Sequence, residues 1–294
     1  MNDTRTLPPQ AVAAQLLLCM IWGLGQVATK VGNSGISPIW QAALRSIGAT
    51  LLLVGWIAWR RIPLGERSET LVPGVIAGLL FGLEFVFLFV GLVHTTAVRA
   101  VLLLYSAPFF VALGAHFFVP GDRITRNKLL GLSAAFAGLV LAFGDRLTLP
   151  DANALVGDLL CLGAAFMWGA TTVLIKASAL RRAPPETTLL YQLAISAVLM
   201  VVLSYAFGEP GVFAPTPIVW AALAFQTVVI AWASYTVWFW LVSRYRATTL
   251  HAFTFLTPLF GVLAGALLLG EPVGPTLIAA LALIATGIVL VNRA

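Results

Sequence analysis

Trp22-Gly23-Leu24-Gly25-Gln26-Val27-Ala28-Thr29-Lys30 returns as Trp168-Gly169-Ala170-Thr171-Thr172-Val173-Leu174-Ile175-Lys176, an offset of 146 at both the tryptophan and the lysine. The repetition runs on. Ala97 and Pro108 match Ala247 and Pro258 at an offset of 150, and Gly121-Asp122 and Gly138 match Gly270-Glu271 and Gly287 at an offset of 149. The chain reads as two related units, residues 1–147 and 148–294. Apolar runs fall at 11–31, 38–59, 73–93, 97–118 and 128–144 in the first unit, and at 154–177, 187–207, 217–242, 248–269 and 275–292 in the second. Each is long enough, or nearly so, to cross about 30 Å of hydrocarbon as a helix. Five is odd, so the second unit enters the membrane from the opposite side to the first. The expected fold is an all-α membrane protein of ten transmembrane helices, two inverted five-helix repeats around a central cavity.

Composition agrees. Hydrophobic residues make up 60% of the 294, charged residues 10%, and the mean hydropathy is +0.98. Ten spans of about 20 residues leave no room for a sizeable aqueous domain. A net charge of +6 would suggest nucleic acid in a soluble protein, but on short loops it reads as orientation charge, and no nucleic-acid partner is expected. Arg5, Arg60, Arg61, Arg67, Arg123, Arg126, Lys128, Arg181, Arg182, Arg244, Arg246 and Arg293 fall on one side of the ten-span topology, Arg99 and Arg146 on the other. Both termini are therefore expected in the cytoplasm. Arg5 followed by an apolar run could mimic a signal peptide, but that run carries Trp22 and Lys30 and reads as span one. Cys19 and Cys161 sit in apolar runs without partners at ligand spacing, so neither a disulfide nor a metal site is expected.

Small residues suggest how the helices pack. Gly74, Gly78 and Gly82 form a stripe on span three, and Gly261 and Gly265 another on span nine. Without water to drive association, such stripes let helix backbones approach closely.

Polar and aromatic residues at mid-span carry the functional expectations. Glu84 lies near the middle of span three among Phe81, Phe85, Phe87 and Phe89. A carboxylate at that depth costs several kcal/mol unless paired or wet, so it faces the bundle interior. Two roles fit it, proton coupling or a structural hydrogen bond between helices. Trp22 and Trp168 lie half-way along their spans, each followed one turn later by a polar residue, Gln26 and Thr172. A tryptophan with a polar neighbour suits the wall of a substrate cavity. On span eight, Trp232 and Tyr235 share a helical face by their i, i+3 spacing; Tyr105, His251 and Phe255 precede the prolines of spans four and nine. These ten residues are the expected substrate contacts. Pro108 and Pro258 each remove a backbone hydrogen bond in mid-helix and are expected hinges. Lys30 and Lys176 read as snorkelling residues near span ends. Arg45 lies deeper than a loop residue, with Glu84 or a carbonyl as its partner. No phosphate-cradling G-x-x-x-x-G-K-[ST], H-E-x-x-H or G-x-S-x-G motif occurs, so an ion or solute gradient is the expected energy source, with no enzyme activity and no cofactor.

The doubled Trp-Gly openings, the Pro108 and Pro258 helices, and the Gly121-Asp122 and Gly270-Glu271 turns before each unit's last span resemble the drug/metabolite transporter superfamily, EamA type. The resemblance covers nearly the whole chain and is nearest to the YddG-type amino-acid exporters; the family's Gly-Glu turn is Gly-Asp at 121–122. It implies export of small metabolites, most often amino acids, by alternating access in a bacterial inner membrane. The implied partners are a small-molecule substrate and membrane lipid, with a monomer as the simplest assembly. The alternative is a carrier of nucleotide sugars, phosphorylated metabolites or drug-like solutes; the first two would need two or more basic residues inside the cavity.

Overall fold

A computed structural model describes residues 7–64, 67–144, 147, 149–269 and 276–294. Arg5, Arg146, the Gly270-Glu271 turn and the packing at Gly265 fall outside these. The spans are α1 (Pro9–Gly32), α2 (Pro38–Arg60), α3 (Arg67–His94), α4 (Ala97–Phe118), α5 (Arg126–Phe143), α6 (Ala152–Ala177), α7 (Pro185–Ala206), α8 (Pro217–Arg244), α9 (Ala247–Leu268) and α10 (Thr276–Asn292). Among the described residues there is no β-strand; Ile36 and Val212 form one isolated bridge. The first nine helices are long and apolar enough to span a bilayer, and α10 is a shorter apolar helix.

Local chemistry sets the boundaries. Proline occupies the first turn of α1, α2, α7 and α8, where its missing N–H costs nothing. Thr96, Thr125 and Asp151 cap α4, α5 and α6 by accepting from the backbone N–H groups of Arg99, Lys128 and Ala154. Glu209, from the α7–α8 loop, caps α2 from outside its own sequence, accepting from Ile39 N at 3.0 Å and Trp40 N at 2.9 Å.

The packing respects the duplication. Exchanging α1–α5 for α6–α10 maps the α3–α6 contact onto α8–α1 and the α4–α6 contact onto α9–α1; it maps α5–α10 and α2–α7 onto themselves. Glycines make these crossings possible. A Cβ on Gly23 would sit 2.7 Å from Gly261 N on α9, and one on Gly169 would sit 2.8 Å from Phe110 Cβ on α4. The glycine of each Trp-Gly pair is therefore the point where its helix touches the broken helix of its partner. The α5–α10 crossing repeats the device: a Cβ on Gly131 would lie 2.6 Å from Gly287 O, and one on Gly138 2.9 Å from Ala280 O. Gly78 and Gly82 pack as the stripe on α3 suggests, against Tyr191 O and Leu199 of α7, each 2.7 Å from the would-be Cβ.

Three helices are irregular. α4 breaks at Tyr105-Ser106 between helical segments Ala97–Leu104 and Ala107–Phe118, and α9 breaks at Phe255 between Ala247–Thr254 and Leu256–Leu269. Pro108 and Pro258 thus sit in the opening turn of a second segment, where the lost bond would have joined it to the first. In α8, residues Gln226–Ser234 form a π-helix, its hydrogen bonds spaced i to i+5.

Polar contacts sort the loops onto two faces. On one, Leu7 N donates to Asn292 Oδ1 at 3.0 Å, joining the start of α1 to the end of α10. Here Lys128 Nζ donates to Asp122 Oδ1 at 2.7 Å, and Asp122 Oδ2 accepts from Thr248 N at 3.1 Å at the start of α9. Lys176 Nζ donates to Tyr245 O at 2.7 Å. Lys176 is buried rather than snorkelling, with that carbonyl at the C-terminal end of α8 accepting from its ammonium. On the opposite face Ser37 Oγ bonds Gly211, and Arg99 pairs with Asp158, which also accepts from Thr95 Oγ1 at 2.8 Å.

The glycine crossings carry a testable cost. Gly131→Val must push α5 and α10 apart, an overpacking worth about 1–3 kcal/mol; it lowers the thermal unfolding midpoint of the detergent-solubilised protein. Gly55→Ala, with no atom within 4 Å of the new Cβ, does not lower the midpoint, since alanine inside a helix is favoured over glycine by roughly 0.5–1 kcal/mol.

Candidate substrate cavity

Between the repeats lies a cavity of about 540 Å³. It reaches the face that carries Asn33, Pro38, Leu92 and Ala97, and stops short of the face where Leu7 meets Asn292. Eight helices contribute: α1, α3, α4, α6, α8 and α9, and also α2 and α7, through Gln41, Ala42, Arg45 and Gln192.

Its floor and one wall are aromatic. Trp22 projects from α1 opposite its crossing glycine, donates from Nε1 to Ser234 Oγ at 2.9 Å, and meets Tyr235 and Trp238 edge to face at centroid distances of 6.2 and 5.3 Å. The π-helix presents that acceptor: Ser234 is its last residue, and its hydroxyl donates onward to Ile230 O at 2.6 Å. On the repeat-related side, Trp168 meets Tyr105 edge to face at 5.8 Å and leans on His251 at 5.3 Å. The break in α4 places Tyr105 against Trp168 on the cavity wall, which Gln26 also lines. Edge-to-face pairs of this kind fix ring orientation as well as filling space.

The polar groups fall into two sets. Near the open end, Gln226 Nε2 donates to Ala28 O at 3.3 Å and to Gln41 Oε1 at 3.4 Å, and Gln41 Nε2 donates to Asn33 Oδ1 at 3.0 Å. This belt ties α1, α2 and α8 together. Deeper, Arg45 and Glu84 are 7% and 8% exposed and Gln192 is fully buried. The Arg45 guanidinium lies over the Phe85 ring, 4.6 Å from its centroid.

Of the residues expected to touch substrate, Trp22, Gln26, Glu84, Tyr105, Trp168, Thr172 and Tyr235 line this cavity together. Three stand elsewhere. Trp232 faces an outer groove beside Trp56, at 5.9 Å. The i, i+3 rule that paired it with Tyr235 assumes α-helical turns, and the wider π turn separates the two faces. His251 lies one layer behind the wall, fully buried, with Nε2 2.9 Å from Thr172 Oγ1 and its ring against Trp168 and Trp238. Phe255, at the break in α9, is buried against Phe109 and Phe136. Arg45 forms no ion pair with Glu84, and Gln192 lines the cavity without any sequence expectation. A lone amide in an apolar run was the available signal for Gln41, Gln192 and Gln226 alike. Lys30 lines the open end of the cavity.

Residues 10–144 and 155–293 each match the EamA-like transporter family model. The chain is 30% identical over 273 residues to the uncharacterized transporter YoaV of Bacillus subtilis, covering 92% of each protein. It is 28% identical to a probable amino-acid metabolite efflux pump of Salmonella typhimurium, over 93% of this chain and 91% of that one. A solved crystal structure, 21% identical and covering 96% of both chains, superposes with a TM-score of 0.83 and establishes the shared fold. With two family matches spanning nearly its whole length, the chain belongs to the EamA-like transporter family and is a multi-pass membrane transporter.

Proposed function

We propose that this transporter exports small metabolites, chiefly amino acids, by alternating access through the aromatic-walled cavity. One observation carries the reading: rings from both repeats converge on one cavity that reaches one face of the bundle and stops short of the other. Its volume of about 540 Å³ falls within the roughly 300–1,000 Å³ typical of small-molecule sites. The Salmonella relative's name as a probable amino-acid metabolite efflux pump supports the substrate class and the direction. The lysine and arginine distribution supports cytoplasmic termini in a bacterial inner membrane. On that topology the open face is external, and units 1–147 and 148–294 exchange it for an internal opening by rocking against each other. The helix breaks before Pro108 and Pro258 are the hinges of that motion, each beside a glycine crossing that acts as a pivot.

The substrate side chain rests against Trp22, Trp168, Tyr105 and Tyr235, with Gln26 and Thr172 as polar contacts. His251 holds Thr172 and Trp168 in place from behind. Glu84 is the proton-coupling carboxyl, with Arg45 and Tyr235 as the ionisable groups that face it. A second reading, carriage of a phosphorylated solute, has one specific observation in its favour: Lys30 and Arg45 both line the cavity.

Uptake of radiolabelled amino acids into proteoliposomes tests the first reading. Trp168→Ala removes the largest ring of one wall and lowers flux about tenfold, the equivalent of roughly 1.4 kcal/mol of lost contact. No amino-acid flux by folded wild-type protein, together with uptake of a sugar phosphate, would sink the amino-acid reading in favour of the second. For coupling, wild-type flux accelerates under an imposed proton gradient and Glu84→Gln flux does not respond to it. A response that survives in the variant takes the coupling role away from Glu84.

A further inference from the structure

Below the belt of amides, the cavity holds polar groups that no protein atom satisfies. Arg45 Nε and Nη2, Glu84 Oε2, and both Gln192 Oε1 and Nε2 are buried without a hydrogen-bond partner. They come from α2, α3 and α7, hence from both repeats, and all three side chains line the cavity. Burying such groups unpaired is costly, more so for charges, and native proteins keep few of them. Arg45 and Glu84 act on each other electrostatically, yet neither an ion pair nor a hydrogen bond joins them.

Their geometry has a chemical reading. Nε and Nη2 form one edge of a guanidinium, the edge that grips a carboxylate with two parallel hydrogen bonds. The Phe85 ring supports that guanidinium from its face and leaves the edge free. A carboxylate oxygen close by accepts from an ammonium group. The Gln192 amide, with a donor and an acceptor both unused, can serve either end. Packing fixes the arrangement: Ser196, one turn beyond Gln192, donates to Ser46, the residue after Arg45, at 3.4 Å across the α2–α7 contact.

We propose that Arg45, Glu84 and Gln192 form a headgroup subsite, in which Arg45 takes the α-carboxylate and Glu84 the α-ammonium of a zwitterionic amino acid. The inference rests on the amino-acid reading above and adds the polarity of the bound substrate. Its side chain then extends along the aromatic wall, and selectivity falls on the headgroup more than on the side chain. When Glu84 is ionised, its charge makes the pocket around Arg45 unfavourable for a phosphate dianion.

The test uses full-length protein in liposomes, with leucine, methionine and phenylalanine each compared with its decarboxylated amine and its N-acetyl acid. Two readouts are taken: competition against uptake, and quenching of intrinsic tryptophan fluorescence, which reports binding without flux. In wild type both analogues bind at least about tenfold more weakly than the parent, as expected when a charged group loses its partner. Arg45→Gln weakens the parent and the N-acetyl acid and spares the amine; Glu84→Gln weakens the parent and the amine and spares the N-acetyl acid. Wild-type protein that binds the amine or the N-acetyl acid as tightly as the parent overturns the subsite, and this comparison needs no variant to fold. Equal weakening of all three compounds by Arg45→Gln also overturns it, making Arg45 structural. If no amino acid binds or moves while a sugar phosphate does, the amino-acid reading fails and the subsite fails with it. Amino-acid flux with no headgroup discrimination sinks the subsite alone.

Discussion

Close backbone contact at Gly23 and Gly169 is the constraint on which the rest of the molecule depends. Lipid offers helices no hydrophobic reason to associate, so packing must come from surfaces smooth enough to touch. At these two positions a long helix meets a broken one, α1 against α9 and α6 against α4. A side chain there would separate each pair and open a seam beside the cavity. The tryptophan preceding each glycine then points to one side of the crossing, into the space between repeats. One dipeptide therefore sets both the helix contact and the cavity wall. That double duty explains why it appears in both halves with its spacing to the following lysine intact.

The broken helices follow from the same economy of polar groups. A proline inside a membrane helix strands a carbonyl, and in hydrocarbon that carbonyl needs another donor. Around the break in α4, Ser106 Oγ donates to Leu103 O at 2.6 Å. In the first segment of α9, Leu250 O accepts from Gln15 Nε2 at 3.3 Å and Phe253 O from Cys19 Sγ at 3.2 Å. Both donors lie on α1, so the crossing helix hydrogen-bonds the irregular one close to its break. Irregular backbone is thus confined to protein-covered positions next to the cavity, where a change of angle costs less than it would against lipid.

Much of this was legible in the chain. Repeat offsets, apolar runs and turn residues give the helices to within about two residues, except that α3 begins six residues before the expected 73 and carries Pro73 inside it. Trp22, Trp168, Gln26 and Thr172 were readable because duplication marks positions the fold uses twice. Trp232 turns away from Tyr235 because face arithmetic needs 3.6 residues per turn, and the π-helix in α8 breaks that period just before Tyr235. His251 and Phe255 precede a helix break that turns their faces inward, and neither apolar periodicity nor composition encodes such a turn. Gln192 and the orientation of Arg45 depend on how α2 meets α7, a contact between residues about 150 apart in sequence.

Symmetry explains the walls of the cavity and fails at its pole. Trp22 and Trp168 correspond, and each holds a ring against a tyrosine, Tyr235 and Tyr105. Glu84 instead corresponds to Ser234, which is spent on Trp22 Nε1. One repeat thus carries a carboxyl facing the cavity where the other carries a hydroxyl holding the wall. A cavity symmetric in its apolar surface would bind a solute in two opposed orientations with similar energy. Placing the charged groups on one side of the pseudo-two-fold relation removes that degeneracy, because polar ends discriminate by unpaired-group costs that apolar contacts cannot match. Duplication thus shapes the apolar wall from both repeats, and divergence at a few buried positions gives the cavity its polarity.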